Sequence, residues 1–133
     1  MSAAGEQALK NTVRDAVEAY NGKNWTKLES YYDDNVILKL PDSSKAPISG
    51  KSNVVHYLAG EARDNPTFTW EPDPAGKPVV PHDVDDAVGF VTHVGKWKDD
   101  NHDTRPIQYV FALINKGSAT SPNWKFLLLW SNN

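Results

Sequence analysis

The chain has 133 residues, a net charge of −3, five Trp and no Cys. Its length and apolar content exclude a disordered polypeptide and predict a single domain, residues 1–133, with one buried core. The absence of Cys excludes disulfides, a thiolate zinc site and a cysteine nucleophile, and the weakly acidic charge argues against a nucleic-acid partner.

Three helices are predicted in the first half of the chain. The first, about residues 4–20, carries a stripe of apolar side chains at helical spacing and ends at Gly22, which takes the left-handed conformation of a C-cap. Asn24 caps a short second helix with apolar positions at 25, 28, 31 and 32. Ser49 or Ser52 caps a third helix, whose apolar stripe includes Leu58 and which Pro66 closes.

Strands dominate the remainder. The segment Asp33-Asp34-Asn35 breaks the second helix, and the β-branched, apolar segment Val36-Ile37-Leu38 begins the first strand. From Thr67 onward apolar and polar residues alternate with period two. Two short strands, near residues 67–71 and 77–81, precede three longer ones at about 87–97, 106–115 and 123–131.

Two segments carry a resemblance to a known family. Residues 16–50 read AVEAYNGKNWTKLESYYDDNVILKLPDSSKAPISG, and residues 123–131 read NWKFLLLWS. Together with the order of elements, they resemble the SnoaL-like (polyketide cyclase and ketosteroid isomerase-like) branch of the nuclear transport factor 2-like superfamily. The resemblance covers essentially the whole chain. It implies an α+β fold in which a strongly curved mixed or antiparallel sheet of about six strands forms a cone around three N-terminal helices.

The resemblance does not extend to the catalytic groups of ketosteroid isomerase. Aligning Asn21-Gly22 and Ser49-Gly50 puts Leu40 at the position of the carboxylate base and Ala16 at that of the oxyanion-hole Tyr. Neither side chain can move a proton, so steroid isomerisation by that mechanism is excluded. Gln108 falls at the position of the protonated Asp and keeps an amide donor, which predicts recognition of a carbonyl group.

His93 is the candidate catalytic residue. It lies mid-strand among apolar and small residues, and comparison with the isomerase pattern puts its face of the strand inside the cone. If the hairpin turns tightly at Asp100-Asn101, His93 lies across from Gln108. His93 would then be a general base beside a carbonyl donor. The alternative is a hydrogen-bonded structural His, because a one-residue change of register would turn the side chain outward.

Aromatic and aliphatic side chains form the predicted pocket wall. They come from the sheet and the helices, and the expected ligand is a small, apolar, carbonyl-bearing organic molecule. The alternative is that most of them are core. The ligand-binding set is Gln108, Trp130, Trp97, Leu128, Val110, Tyr20 and Leu58.

The last strand is apolar on both faces. Strict alternation puts Trp124, Phe126, Leu128 and Trp130 on one face, and Leu127 and Leu129 on the other. We therefore expect a homodimer through the outer face of the sheet, with coverage by the chain's own loops as the alternative.

The sequence predicts no metal site, no cofactor and no membrane partner. Asp99-x-Asn101-x-Asp103 resembles the start of a calcium loop, but Thr104 replaces the required Gly, so no metal is predicted. The chain has no glycine-rich phosphate loop, serine elbow or dinucleotide fingerprint, so no cofactor is expected. No apolar run approaches the roughly 20 residues that cross a bilayer, so no membrane partner is expected. The N-terminal sequence lacks a signal-peptide pattern, which predicts a cytoplasmic protein.

Two functions stay open from the sequence. The first is a cofactor-free isomerase, dehydratase or cyclase that uses His93 as base and Gln108 as carbonyl donor. The second is a non-catalytic module that dimerises or carries a ligand.

Overall fold

The protein is described by a computed structural model that covers residues 3–66, 69–72, 79–82, 85–98 and 104–131, with side chains for 5–66, 69–70, 85–93 and 108–131. The helices are α1 (Ala3–Asn21), α2 (Trp25–Ser30) and α3 (Lys51–Asp64). The strands are β1 (Tyr32–Lys39), β2 (Ile48–Ser49), β3 (Thr69–Pro72), β4 (Val79–His82), β5 (Val88–Lys98), β6 (Thr104–Asn115) and β7 (Trp124–Ser131).

The strands form one mixed sheet in the order β2-β1-β7-β6-β5-β3, with β4 paired to β5 beside β3. The pairing of β1 with β7 is parallel, and the other pairings are antiparallel. The predicted α+β fold with a mixed sheet and three N-terminal helices is confirmed. The sheet has seven strands rather than about six, because Ile48–Ser49 pairs with β1.

The end of α1 is a Schellman motif whose left-handed residue is Lys23, with φ of 57°. The N–H of Lys23 donates to the carbonyl of Tyr20 over 3.0 Å, and that of Asn24 to the carbonyl of Ala19 over 2.9 Å. The prediction that Gly22 is left-handed is wrong by one residue. Asn24 caps α2 as predicted, because its side-chain oxygen accepts from the N–H of Lys27.

The start of α3 differs from the predicted serine cap. Gly50 is the N-cap, with φ of 92° and no side-chain capping bond. Ser49 is already committed to β2, where it pairs with Ile37, and Ser52 lies within the helix. A positive φ of this size favours glycine, so the main chain rather than a hydroxyl determines this helix start.

Two irregularities shape the centre of the sheet. β1 begins at Tyr32 rather than at Val36, and its register against β7 shifts between Tyr32 and Ile37. In β7, Leu128 pairs with Ala112 while Phe126 pairs with Leu113, so Leu127 is an extra residue. Strict alternation therefore fails in β7.

The core lies between the helices and the inner face of the sheet. Its fully buried apolar side chains come from α1, α2, α3 and four strands, and they include Leu9, Val13, Leu28, Val36, Val54, Val91, Leu113 and Phe126. This packing leaves a cavity between α1, α3 and the central strands.

Candidate functional site

The candidate site is a partly open cavity of about 60 Å³. Five of its side chains carry a polar atom: Tyr20, Tyr32, Trp70, His93 and Tyr109. The rest are apolar, namely Ala16, Val17, Leu28, Leu38, Leu58, Phe111, Phe126 and Leu129. No lining residue in the described part of the chain is charged, so the wall favours a neutral occupant.

The volume of the cavity limits the size of a ligand that it can hold with its side chains in their present positions. An apolar cavity of about 150 Å³ accepts benzene. The present cavity, at about 60 Å³, has room for a few non-hydrogen atoms. A larger molecule therefore requires side chains of the wall to move.

His93 is the central polar group, with 1% of its surface exposed. The indole N–H of Trp70 donates to Nδ1 of His93 over 3.1 Å. Nε2 of His93 lies farther from the same indole nitrogen, at 3.4 Å. The indole N–H meets hydrogen-bond criteria at both ring nitrogens, and the shorter contact favours Nδ1 as the acceptor, which puts the proton of the neutral ring on Nε2.

The surroundings of His93 favour its neutral form. Burial lowers its pKa to about 4, because an imidazolium would lose its hydration there. At neutral pH the ring is therefore an acceptor at Nδ1, already occupied by Trp70, and a donor at Nε2. A general base works best with a pKa near the operating pH, so this imidazole is better suited to donate a hydrogen bond than to remove a proton.

The tyrosines of the cavity also stay neutral. Burial, with a smaller contribution from the negative charge of Glu61, raises the pKa of Tyr20 to about 12. Burial likewise raises the pKa of Tyr32 and of Tyr109, and the hydroxyl of Tyr109 shares a hydrogen bond with Ser131. The polar groups of the cavity can exchange hydrogen bonds but bring no charge.

Three predicted site residues line the cavity: His93, Tyr20 and Leu58. The expected pairing of His93 with Gln108 is wrong, since His93 lies opposite Tyr109 and Gln108 lies opposite Val94. The ladder ends at Lys98 and Thr104, so the connection is longer than the tight turn assumed at Asp100-Asn101, which lies outside the described residues. The resulting shift of one residue moves Gln108 to the other face.

The extra residue in β7 moves two further candidates. Beyond Leu127, Leu129 faces the cavity, whereas Leu128 and Trp130 point outward. Leu128 pairs with Ala112, and Trp130, 41% exposed, pairs with Val110. Trp130, Leu128 and Val110 therefore belong to the outer face instead of the cavity wall.

Trp97 is placed only by its main chain, which pairs with Trp70 in the β3–β5 ladder; its side chain lies outside the described residues. Trp70 and Tyr109 line the cavity but are not among the site residues predicted from the sequence. Their shared signal is alternation, since Trp70 lies in a period-two segment and Tyr109 lies two residues before Phe111 on the inner face of β6.

Within the described residues, no group of three or more His, Asp or Glu side chains is arranged to hold a metal ion. The helices described here are too short or too polar to span a bilayer.

Comparison with known proteins identifies the fold. No family model and no curated protein matches this sequence. The chain is similar to a domain of unknown function with a cystatin-like fold from Nostoc punctiforme, with a TM-score of 0.78, 11% identity, and coverage of 98% of this chain and 78% of that one. It is also similar to an NTF2-like protein of unknown function from Pseudomonas putida, with a TM-score of 0.77, 12% identity, and coverage of 98% and 87%.

A third similar structure is the Orange Carotenoid Protein of Anabaena binding canthaxanthin, with a TM-score of 0.69 and 18% identity over 90% of this chain and 34% of that one. The chain therefore shares the fold of these cystatin-like and NTF2-like structures, as the sequence resemblance predicted.

Proposed function

We propose that this protein binds a small, neutral, apolar organic molecule that carries one hydrogen-bond acceptor, such as a carbonyl oxygen. The observation that carries the proposal is the state of His93. Its Nδ1 accepts from Trp70, and its Nε2–H is the proposed donor in a wall of apolar and aromatic side chains without a charged member. A buried donor gains when a ligand supplies the acceptor that water would supply outside.

The chemistry of the wall supports a neutral ligand. A charged group moved into this cavity would lose its hydration without gaining a charged partner among the lining residues. Aromatic rings provide contact area for flat or aliphatic groups. One protein of the same fold, the Orange Carotenoid Protein, is described as binding canthaxanthin, which supports binding of an apolar molecule by this scaffold.

The proposal gives His93 a binding role rather than the role of general base. With its pKa lowered to about 4, it is a weak base at neutral pH, and the tautomer that accepts from Trp70 at Nδ1 carries its proton on Nε2. Gln108, the expected carbonyl donor, lies on the opposite face, and Nε2–H of His93 takes that role. A ligand-carrying module therefore agrees better with this geometry than an isomerase, dehydratase or cyclase.

We also propose that the protein forms a homodimer through the outer face of the sheet. Ile37, Leu128, Ala112 and Phe90 lie in one row across β1, β7, β6 and β5. Ile37 is 38% exposed, Phe90 45% and the neighbouring Trp130 41%. Large apolar side chains collected on one face support an interface, because isolated surface apolar residues would not be aligned in this way.

Cyclopentanone and cyclopentane provide a direct test, since the two rings differ only in the acceptor. We expect cyclopentanone to shift the imidazole and Trp70 indole resonances of ¹⁵N-labelled protein saturably, and cyclopentane to shift them less and bind more weakly. Equal affinities would remove the acceptor from the proposal. No saturable shift with either ring, or with acetone, which has only four non-hydrogen atoms, would remove the cavity as a ligand site.

A further inference from the structure

The side chain of Asn21 forms two hydrogen bonds with the main chain of Trp70. Its Nδ2–H donates to the carbonyl oxygen of Trp70 over 2.6 Å, and the N–H of Trp70 donates to Oδ1 over 2.8 Å. The two residues are 49 positions apart. The contact therefore joins the end of α1 to β3 and is not a local turn.

The contact covers an edge of the sheet. β3 ends the strand order and pairs with β5 on one side. An edge strand presents N–H and C=O groups that no further strand takes up. At Trp70 the primary amide of Asn21 supplies one donor and one acceptor in place of that strand, which fixes the main chain of Trp70 from outside the sheet.

Asn21 itself is held firmly. It is the last residue of α1, and the Schellman motif around Lys23 closes the helix directly after it. Leu9 and Val13 of the same helix are fully buried in the core. The amide therefore extends from a rigid element, which a group that positions another side chain requires.

The constraint passes from Trp70 to His93. The Trp70 side chain is connected to this fixed main chain by two torsions, and the residue is 3% exposed. Its ring centroid lies 4.9 Å from that of His93 and 5.2 Å from that of Tyr109. Packing on both sides leaves the indole N–H directed at the imidazole of His93, with the nitrogen 3.1 Å from Nδ1 and 3.4 Å from Nε2.

We propose that Asn21 is a positioning residue for the cavity. By holding the main chain of Trp70, it keeps the indole N–H on Nδ1 of His93 and so keeps the proton of His93 on Nε2, where a ligand acceptor can use it. The importance for ligand binding rests on the proposed function. The tautomer of His93 is measurable in the free protein, so the two ideas can fail separately.

The test compares His93 tautomers by ¹⁵N NMR at pH 7 in four proteins: the parent, Asn21→Ala, Asn21→Asp and Asn65→Ala. Asn65→Ala is the matched control, because Asn65 also lies at the end of a helix and its amide donates to a main-chain oxygen, that of Glu61, over 3.0 Å. We expect one Nε2–H tautomer in the parent and the control. In Asn21→Ala the shifts of the two ring nitrogens should converge as the tautomers mix.

Asn21→Asp keeps the acceptor for the Trp70 N–H and loses the donor to the Trp70 carbonyl. We expect an intermediate tautomer ratio, which is the decisive measurement if Asn21→Ala does not fold by circular dichroism. Trp70→Phe should mix the tautomers by itself, and adding Asn21→Ala to it should change them no further, since both act through one hydrogen bond.

Cyclopentanone affinity completes the test. We expect it to fall roughly three- to tenfold in Asn21→Ala, the effect of losing one hydrogen bond to a well-placed donor. A single Nε2–H tautomer with parental affinity in folded Asn21→Ala would overturn the positioning role. Mixed tautomers in Asn21→Ala, in a protein whose parent binds no cyclopentanone, would support that role and overturn the proposed function.

Discussion

His93 and Tyr109 are direct partners across β5 and β6, so their rings share the inner face of the sheet. The indole of Trp70 contacts both rings, and the phenol of Tyr109 is stacked on Phe111 with centroids 5.4 Å apart. The hydroxyl of Tyr109 is in turn hydrogen-bonded to Ser131. The imidazole therefore lies in a wall whose members hold one another in place, and substitutions at His93 should reveal which of its contacts matter.

The first prediction distinguishes two contributions of His93 to stability, its hydrogen-bond acceptor and the volume of its side chain. His93→Phe fills the space but leaves the buried indole N–H of Trp70 without an acceptor, which costs roughly 1–3 kcal/mol. His93→Gln retains an acceptor and should lose less. Urea unfolding of both variants measures the difference. If His93→Phe were as stable as the parent, the Trp70–His93 hydrogen bond would contribute nothing to folding.

The second prediction concerns pH. Burial lowers the His93 pKa from 6.5 to about 4, so between these values the unfolded chain binds a proton that the folded protein does not. The free energy of unfolding is therefore highest with respect to His93 above pH 6.5, and it decreases as the pH falls toward 4. At about 1.4 kcal/mol per pKa unit, the loss amounts to about 3 kcal/mol.

The measurement is the free energy of unfolding at pH 7, 5.5 and 4.5 for the parent and His93→Gln. The parent should lose more stability than the variant, because Gln does not titrate. Parallel curves would mean that His93 titrates equally in the folded and unfolded states.

The third prediction concerns assembly. Trp130→Asp and Phe90→Asp place a charge on the exposed apolar row, and an interface there should dissociate, since a buried unpaired carboxylate is costly. Thr26→Asp, on the exposed surface of α2, is the matched control. Sedimentation at micromolar concentration should give a dimer for parent and control, and a monomer for the other two. A monomeric parent would contradict the proposed homodimer.

The fourth prediction concerns the end of α1. Lys23 occupies the left-handed region, which costs a residue other than glycine about 1–2 kcal/mol. Glycine avoids this cost, but it also gives the unfolded chain more conformational entropy, which offsets part of the gain. Lys23→Gly should therefore raise the free energy of unfolding by roughly 0.5–1 kcal/mol. Lys27→Gly, the same change inside α2, should lower it by about 1 kcal/mol. Equal losses in both would rule out a strained Lys23.

The order of elements was predictable because each long element shows its own period. The apolar stripe of α1 and the alternation of β6 are local properties of the sequence, and both elements lie where they were expected within a few residues. The inward direction of His93 followed from the same alternation together with the family resemblance. These inferences required no knowledge of how strands are aligned against each other.

The errors in the site come from register, which is not a local property. Gln108 was misplaced because its partner depends on the length of the connection at residues 99–103, and the sequence there does not specify a turn. Leu128 and Trp130 were misplaced because residues 127, 128 and 129 are all Leu, so composition does not mark which one is extra. Asn21 was interpreted only as a helix end, because its partner is 49 residues away.

Because Leu127 is an extra residue, a change in the number of residues in β7 has a different effect from a change in their identity. Exchanging one Leu for another apolar residue would change volume but leave every later side chain on its present side. Deleting one of the three would remove the extra residue and leave a regular ladder with β6, in which Leu129 and Ser131 still face inward and Trp130 outward. In this strand, the loss of one of the three Leu should therefore leave the inward and outward faces as they are.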